Sequence, residues 1–117
     1  GILFVNLHFR DRIPAYLEAV FPPFWRRELD IEDINVIKDC LRTAGVDSSD
    51  FQTFVSRAGK QMHDHILDHR FEAGIYGVPT YVLGNDVFFG REHLPYIRWV
   101  LSGKQGQAPD IANEVFE

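Results

Sequence analysis

The chain has 117 residues and a mass of 13.5 kDa, of which 45% is hydrophobic, enough for one core and too little for a multidomain enzyme. Seventeen acidic against twelve basic side chains give a formal charge of −5 and a pI near 5.5, which argues against an electrostatic grip on nucleic acid or anionic lipid. No apolar run reaches the length of a membrane span. The single cysteine, Cys40, cannot form an internal disulfide, and with no secretory leader a cytoplasmic location is expected. The chain begins at Gly1 without a methionine, so a processed, cloned or proteolysed start is expected.

The stretch from Gly1 to Arg12 is ambiguous. Ile2, Phe4, Leu7 and Phe9 fit a strand, whereas Leu3, Phe4, Leu7 and His8 fit one helical face. Tyr16, Leu17, Val20 and Phe21 then follow helical spacing behind Pro14, which suits a first turn. Pro22 and Pro23 are expected to end this helix near Phe21, with a separate helical turn over 24–28. Asp30 is read as the N-cap of a helix whose face carries Ile34, Ile37, Leu41 and Ala44 and which Gly45 ends. Asp47 or Ser48 caps another, with Phe51, Phe54, Val55 and Ala58 before Gly59. A longer helix is expected from Lys60 to Ala73, stopped by Gly74.

Beyond Gly74 the pattern changes. Thr80 to Gly90 is β-branched and aromatic on both sides of Gly84-Asn85-Asp86, the signature of a tight hairpin. A final helix spans Glu92 to Leu101, with Leu94, Ile97, Val100 and Leu101 inward, and in the polar tail only Ile111, Val115 and Phe116 can anchor. Two strands do not make an independent sheet, so another chain or a further segment should cover a strand edge.

Two constellations invite chemical readings. His65 and His69 are four apart on one helical face, with Asp64 and Asp68 nearby, but two ligands do not make a metal site and a solvated helix surface is the preferred reading. Cys40 lies beside the Ile37 and Leu41 face, where it reads as a small buried hydrophobe. Phe24, Trp25 and Trp99 read as core aromatics. The most informative segment is Gly77-Val78-Pro79-Thr80 at a strand entrance. A cis proline there turns the preceding residue's N–H and C=O outward, where an extended peptide-like ligand can pair with them.

The order helix, Gly74-Ile-Tyr-Gly-Val-Pro-Thr80, hairpin, Phe88-Phe-Gly-Arg-Glu-His-Leu94, helix resembles the carboxy-terminal half of one group of thioredoxin-fold proteins. That group holds 2-hydroxychromene-2-carboxylate isomerase, kappa-class glutathione transferases and DsbA-type disulfide oxidoreductases. Upstream, Ala15-Tyr-Leu-Glu-Ala-Val-Phe21, Phe24-Trp25 and Asp30-Ile-Glu-Asp33 are similar to its helical insertion. The resemblance covers roughly Arg12 to Leu101. It implies an α+β, incomplete thioredoxin-like fold: a helical insertion over 1–74, the second half of the thioredoxin core over 75–103, and a tail over 104–117. The amino-terminal β-α-β unit is expected to be missing.

The resemblance also implies roles. Glutathione would be the cofactor, its cysteinyl part paired with the backbone at Val78 beside Pro79, and its γ-glutamyl end received by Gly90, Arg91 and Glu92. Glu92 stands where the group commonly has aspartate, and His93 where arginine is common. An amine pairs with a carboxylate and a carboxylate with free amides at a helix start, which agrees with that placement. The nucleophile or thiol-activating hydroxyl of the relatives would lie on the absent unit, so no catalytic residue is assigned here, and the chain is read as part of an isomerase or transferase. The alternatives are a fragment of a DsbA-type oxidoreductase and a non-catalytic module. A homo-oligomer paired through the edge of Thr80 to Leu83 is the expected assembly.

Overall fold

The computed structural model describes residues 1–110, and the expected anchors Ile111, Val115 and Phe116 lie outside them. The chain divides into two compact units, Gly1–Leu67 and Asp68–Glu117. Unit one holds α1 (Ile2–His8), a 3₁₀ turn (Arg10–Arg12), α2 (Ile13–Trp25), α3 (Ile34–Thr43) and α4 (Phe51–Ser56). The helix α5 (Ala58–His69) runs across the division. Unit two adds β1 (Thr80–Leu83), β2 (Asp86–Phe89), a 3₁₀ turn (Arg91–His93) and α6 (Leu94–Leu101). No helix among the described residues is long and apolar enough to cross a membrane.

The ambiguous first segment is a helix. Phe4 and Val5 are buried, and the Phe4 ring meets those of His8, Phe51 and Phe54 at 5.2, 5.3 and 5.2 Å. Residues four apart meet only on a helical face, and edge-to-face ring contacts reward that geometry. Around them pack Tyr16 of α2 and Ile37, Cys40 and Leu41 of α3, with Leu41 fully buried. Gly59 is buried because a Cβ there would stand 2.5 Å from the Phe54 ring and 2.8 Å from its carbonyl oxygen.

Two expected boundaries are corrected in this unit. The helix α2 does not end at Phe21 but runs through both prolines to Trp25, absorbing the expected separate turn. The prolines fall in its last turn, where their own carbonyls still accept hydrogen bonds, Pro22 from Arg26 at 3.2 Å and Pro23 from Glu28 at 2.9 Å. What a proline removes is the bond to the carbonyl four residues back. For Pro23 that carbonyl belongs to Ala19, and the thiol of Cys40 donates to it at 3.8 Å. Trp25 is 74% exposed, so it is not a core aromatic, although its ring meets Phe24 at 5.3 Å.

The N-cap of α3 is Asp33, not Asp30: its Oδ1 accepts from the Asn35 amide at 2.8 Å. Asp30 closes a smaller turn by accepting from Glu32 N at 2.9 Å. At the other end the Val46 and Gly45 amides donate to Leu41 and Arg42 carbonyls, both at 2.9 Å, with Gly45 at φ +74°. Asp47 accepts from the Ser49 amide, which lowers its pKa, but neither it nor Ser48 caps α4, whose N-cap is Asp50 without a side-chain bond. Ser48 is buried and its Oγ accepts from Arg42 at 3.3 Å. The next helix starts two residues before Lys60 and stops at His69, because the chain closes early: Ile75 and Gly74 amides donate to Arg70 and Phe71 carbonyls at 2.8 and 3.0 Å.

In unit two the strands pair antiparallel with Thr80 opposite Phe89 and Leu83 opposite Asp86. Gly84 takes φ +62° while Asn85 keeps a negative φ, the pattern of a two-residue type II′ turn. The rings of Phe88, Tyr96 and Trp99 follow one another at 5.8 and 5.5 Å, bracing β2 on α6, and Trp99 Nε1 donates to Gln105 O at 3.0 Å. The expected inward face of α6 is half realised. Ile97 is buried and Val100 half-buried, but Leu94 and Leu101 are exposed. A two-stranded ribbon offers too little surface to cover a full helical stripe.

Removing the fully buried side chain in Leu41→Ala should cost about 2–5 kcal/mol. Forcing a Cβ against Phe54 in Gly59→Ala should cost about 1–3 kcal/mol. Both are read as a lowered urea midpoint with an unchanged slope, followed by far-ultraviolet circular dichroism.

Candidate functional site

The candidate site lies in unit two, where β1 begins and β2 ends. In a hairpin closed by a two-residue turn, directly opposed residues alternate between pairs that exchange hydrogen bonds and pairs that do not. Leu83 with Asp86 closes the turn, so Tyr81 with Phe88 is the next bonded pair and Pro79 with Gly90 the one after. The ladder does reach that far: Gly90 N–H donates to Pro79 O at 2.9 Å. This rung joins the two sets of residues singled out in the sequence, Val78-Pro79 and Gly90 to Glu92.

Proline has no N–H to return, so the Gly90 carbonyl receives nothing from the ladder. It is met instead by the His93 amide at 3.5 Å, the bond that opens the 3₁₀ turn Arg91–His93 and leads into α6. Gly90 sits at φ +103°, a conformation that favours glycine, and a Cβ there would run into the Glu92 carboxylate. That carboxylate is therefore folded back over the Gly90 backbone. The amides of Arg91 and Glu92, at the start of the 3₁₀ turn, make no hydrogen bond among the described residues.

On the other side of the rung, the Val78–Pro79 peptide is cis. Val78 is 89% exposed and its backbone makes no hydrogen bond among the described residues. The alternation that assigns Tyr81 to the inner edge assigns the N–H and C=O groups of Thr80 and Val82 to the outer one. Thr80 Oγ1 donates to Gly77 O at 2.5 Å and fastens the approach to the strand. Gly77 lets the Phe89 ring lie close over it, since a Cβ would stand 2.9 Å from that ring and displace it. The result is a row of open backbone groups beside a turn with free amides and one carboxylate. It suits a short peptide with a charged amino-acid end.

Sequence reasoning missed three features here: the Thr80 hydroxyl brace, the Pro79–Gly90 rung, and the burial of the His93 Nδ1. The His93 Nδ1 is buried without a partner among the described residues, its ring 5.5 Å from that of Phe88. The rung had a signal, a proline entering one strand opposite a glycine leaving the other. His93 had none, because its burial depends on the tertiary placement of Phe88.

The other constellations lie apart from chemistry of this kind. Asp64 accepts from Lys60 Nζ at 2.5 Å and lies 3.4 Å from His63 Nδ1, contacts that lower its pKa and raise that of Lys60. Among the described residues no three His, Cys, Asp or Glu side chains gather to hold a metal ion. Burial, and then the charge of Asp39, raise the Cys40 pKa, so it is a thiol rather than a nucleophilic thiolate.

Comparison with known proteins agrees with this architecture. The sequence model of the DSBA-like thioredoxin domain matches residues 2–102. The chain is 24% identical over 89 residues to a 2-hydroxychromene-2-carboxylate isomerase from Sphingobium xenophagum, covering 75% of this chain and 46% of the relative. The chain thus spans about half the length of the curated relative it matches. No solved structure matches it. With the family's model running through both units, from α1 to the end of α6, the chain belongs to the DSBA-like thioredoxin domain family.

Proposed function

We propose that this chain carries the glutathione-binding part of a glutathione-dependent isomerase or transferase of the 2-hydroxychromene-2-carboxylate isomerase type. The observation that carries the reading is the 2.9 Å rung from Gly90 to Pro79, which sets the open backbone of Val78 beside the Arg91 and Glu92 amides. In this reading Val78 N–H and C=O pair with the cysteinyl residue in the manner of strand addition. The Arg91 and Glu92 amides donate to the γ-glutamyl carboxylate, and the Glu92 carboxylate accepts from its ammonium. Bound glutathione supplies a thiol that adds reversibly to a conjugated acid, permits bond rotation and leaves. The residues of this chain bind and orient, and in this reading the thiol-activating group belongs to a segment beyond them; the buried Cys40, whose thiol donates to Ala19, is given no catalytic part. The relative's name and its greater length support the reading.

Titration with glutathione, followed by ¹H–¹⁵N correlation spectra, should move the amides of Gly77, Val78, Thr80 and Gly90 to Glu92 and saturate in the millimolar range. Gly90→Ala, which asks alanine for a left-handed φ and displaces the Glu92 carboxylate, should weaken binding about tenfold, and Glu92→Gln about fivefold. Unmoved resonances at 10 mM ligand, or shifts confined to unit one, would sink the proposal.

A specific feature also favours self-association. The outer edge of β1 shows N–H and C=O groups of Thr80 and Val82, and the strand Thr80–Leu83 carries no charged residue of the kind that guards free edges. We infer that two copies pair antiparallel through this edge. Sedimentation equilibrium should give a dimer that Val82→Lys converts to monomer; a monomeric parent protein at 100 μM rejects the pairing.

A further inference from the structure

The outer edge of β1 and the candidate site share one end of the hairpin. Thr80 and Val82 turn their N–H and C=O groups to that edge, and these groups have no partner among the described residues. Val78, 89% exposed, stands two residues before Thr80. A strand advances about 3.4 Å per residue, so the position read above as the partner of the cysteinyl residue lies within about 7 Å of the edge strand's first residue.

The edge is complementary to itself. When two copies of Thr80–Leu83 run antiparallel about a two-fold axis at Tyr81, Thr80 of each copy faces Val82 of the other. Both are residues with outward backbone groups, so each facing pair exchanges two hydrogen bonds and no outward group of either strand is left over. The β-branched side chains of Thr80 and Val82 then lie side by side, which covers part of Val82, 58% exposed in the single chain. The charged residue of the hairpin, Asp86, lies on β2, so no like charges meet across the paired edges.

That register also decides what happens at Val78. Beyond the facing pair, the second copy's strand continues through its Leu83 into its Gly84-Asn85 turn, and it does so alongside Pro79 and Val78 of the first. An added strand sits about 4.7–4.9 Å from the strand it joins, and a tripeptide paired with the Val78 backbone needs the same strip. Resting on the glutathione reading of Val78 and Gly90 to Glu92, we infer that self-association regulates this site: the dimer closes the groove, the monomer is the form that binds, and a glutathione-like peptide drives the dimer apart. Two occupants of one edge are linked, each weakening the other by the same factor.

The probe is S-methylglutathione, which keeps the tripeptide main chain and its charged ends but has no thiol to exchange. Its dissociation constant is measured on the full chain carrying Val82→Lys, a change at an exposed position that removes the pairing. Present at twice that constant, it should raise the parent's dimer dissociation constant about ninefold in sedimentation equilibrium, the square of a threefold gain for each monomer. Conversely, the parent's apparent affinity for the peptide should fall as protein rises from about 10 to about 500 μM, while that of Val82→Lys stays constant. An unmoved dimer constant while the Val78 and Gly90 to Glu92 amides shift to saturation overturns the regulation and leaves the glutathione reading standing. Absence of those shifts in Val82→Lys overturns that reading and the regulation with it. A parent chain that is monomeric throughout the range overturns the regulation alone.

Discussion

A proline that cannot donate and a glycine that can bend organise the whole candidate site. Pro79 accepts from Gly90 but returns nothing, so the ladder ends on a half-filled rung, and the Gly90 carbonyl is left for His93. That second bond starts the 3₁₀ turn, which in turn aims α6 and leaves the Arg91 and Glu92 amides open. Had residue 79 been able to donate, the ladder would have closed on itself and the turn would have had no free carbonyl from which to begin. The site is thus a consequence of where pairing stops, and its recognition groups are backbone rather than side chain.

The same accounting runs through the helical unit. A helix with two prolines near its end forfeits hydrogen bonds to the carbonyls of Glu18 and Ala19, and the fold places the Cys40 thiol at 3.8 Å from the second of these. The lone cysteine is therefore a packing residue with one weak donor, not a reactive group. Around it the Phe4 ring cluster and the fully buried Leu41 give unit one a core of its own. Tyr16 belongs to the same core and is almost wholly buried.

Much of this was legible beforehand where the cause is local. The hairpin follows from β-branched and aromatic runs around Gly84-Asn85, and the stop at Gly45 follows from the left-handed conformation glycine tolerates, whereas the helix expected to reach Gly74 already stops at His69. Membership of the DSBA-like thioredoxin domain family was readable because Gly77 to Thr80 and Phe88 to Leu94 keep their order and spacing around that hairpin. Boundaries set by competition between neighbours were misread. Asp30 and Asp33 each accept from an amide two residues on, and only the path of the chain makes Asp33 the helix cap and Asp30 a turn residue. The prolines at 22 and 23 end a helix in the middle but not in its last turn, and position within the helix is not written in the dipeptide itself.

By itself the sequence determined the kinds of element and the short-range turn chemistry, because both depend on residues a few positions apart. It also named Val78, Pro79, Gly90, Arg91 and Glu92 as a candidate set. Only the tertiary structure decided that these two groups meet across one hydrogen bond, that Trp25 stays outside, and that Cys40 answers Ala19. The two bonds among these join residues eleven and twenty-one positions apart, and such contacts are settled by how helices and strands pack, a matter on which local propensity is silent.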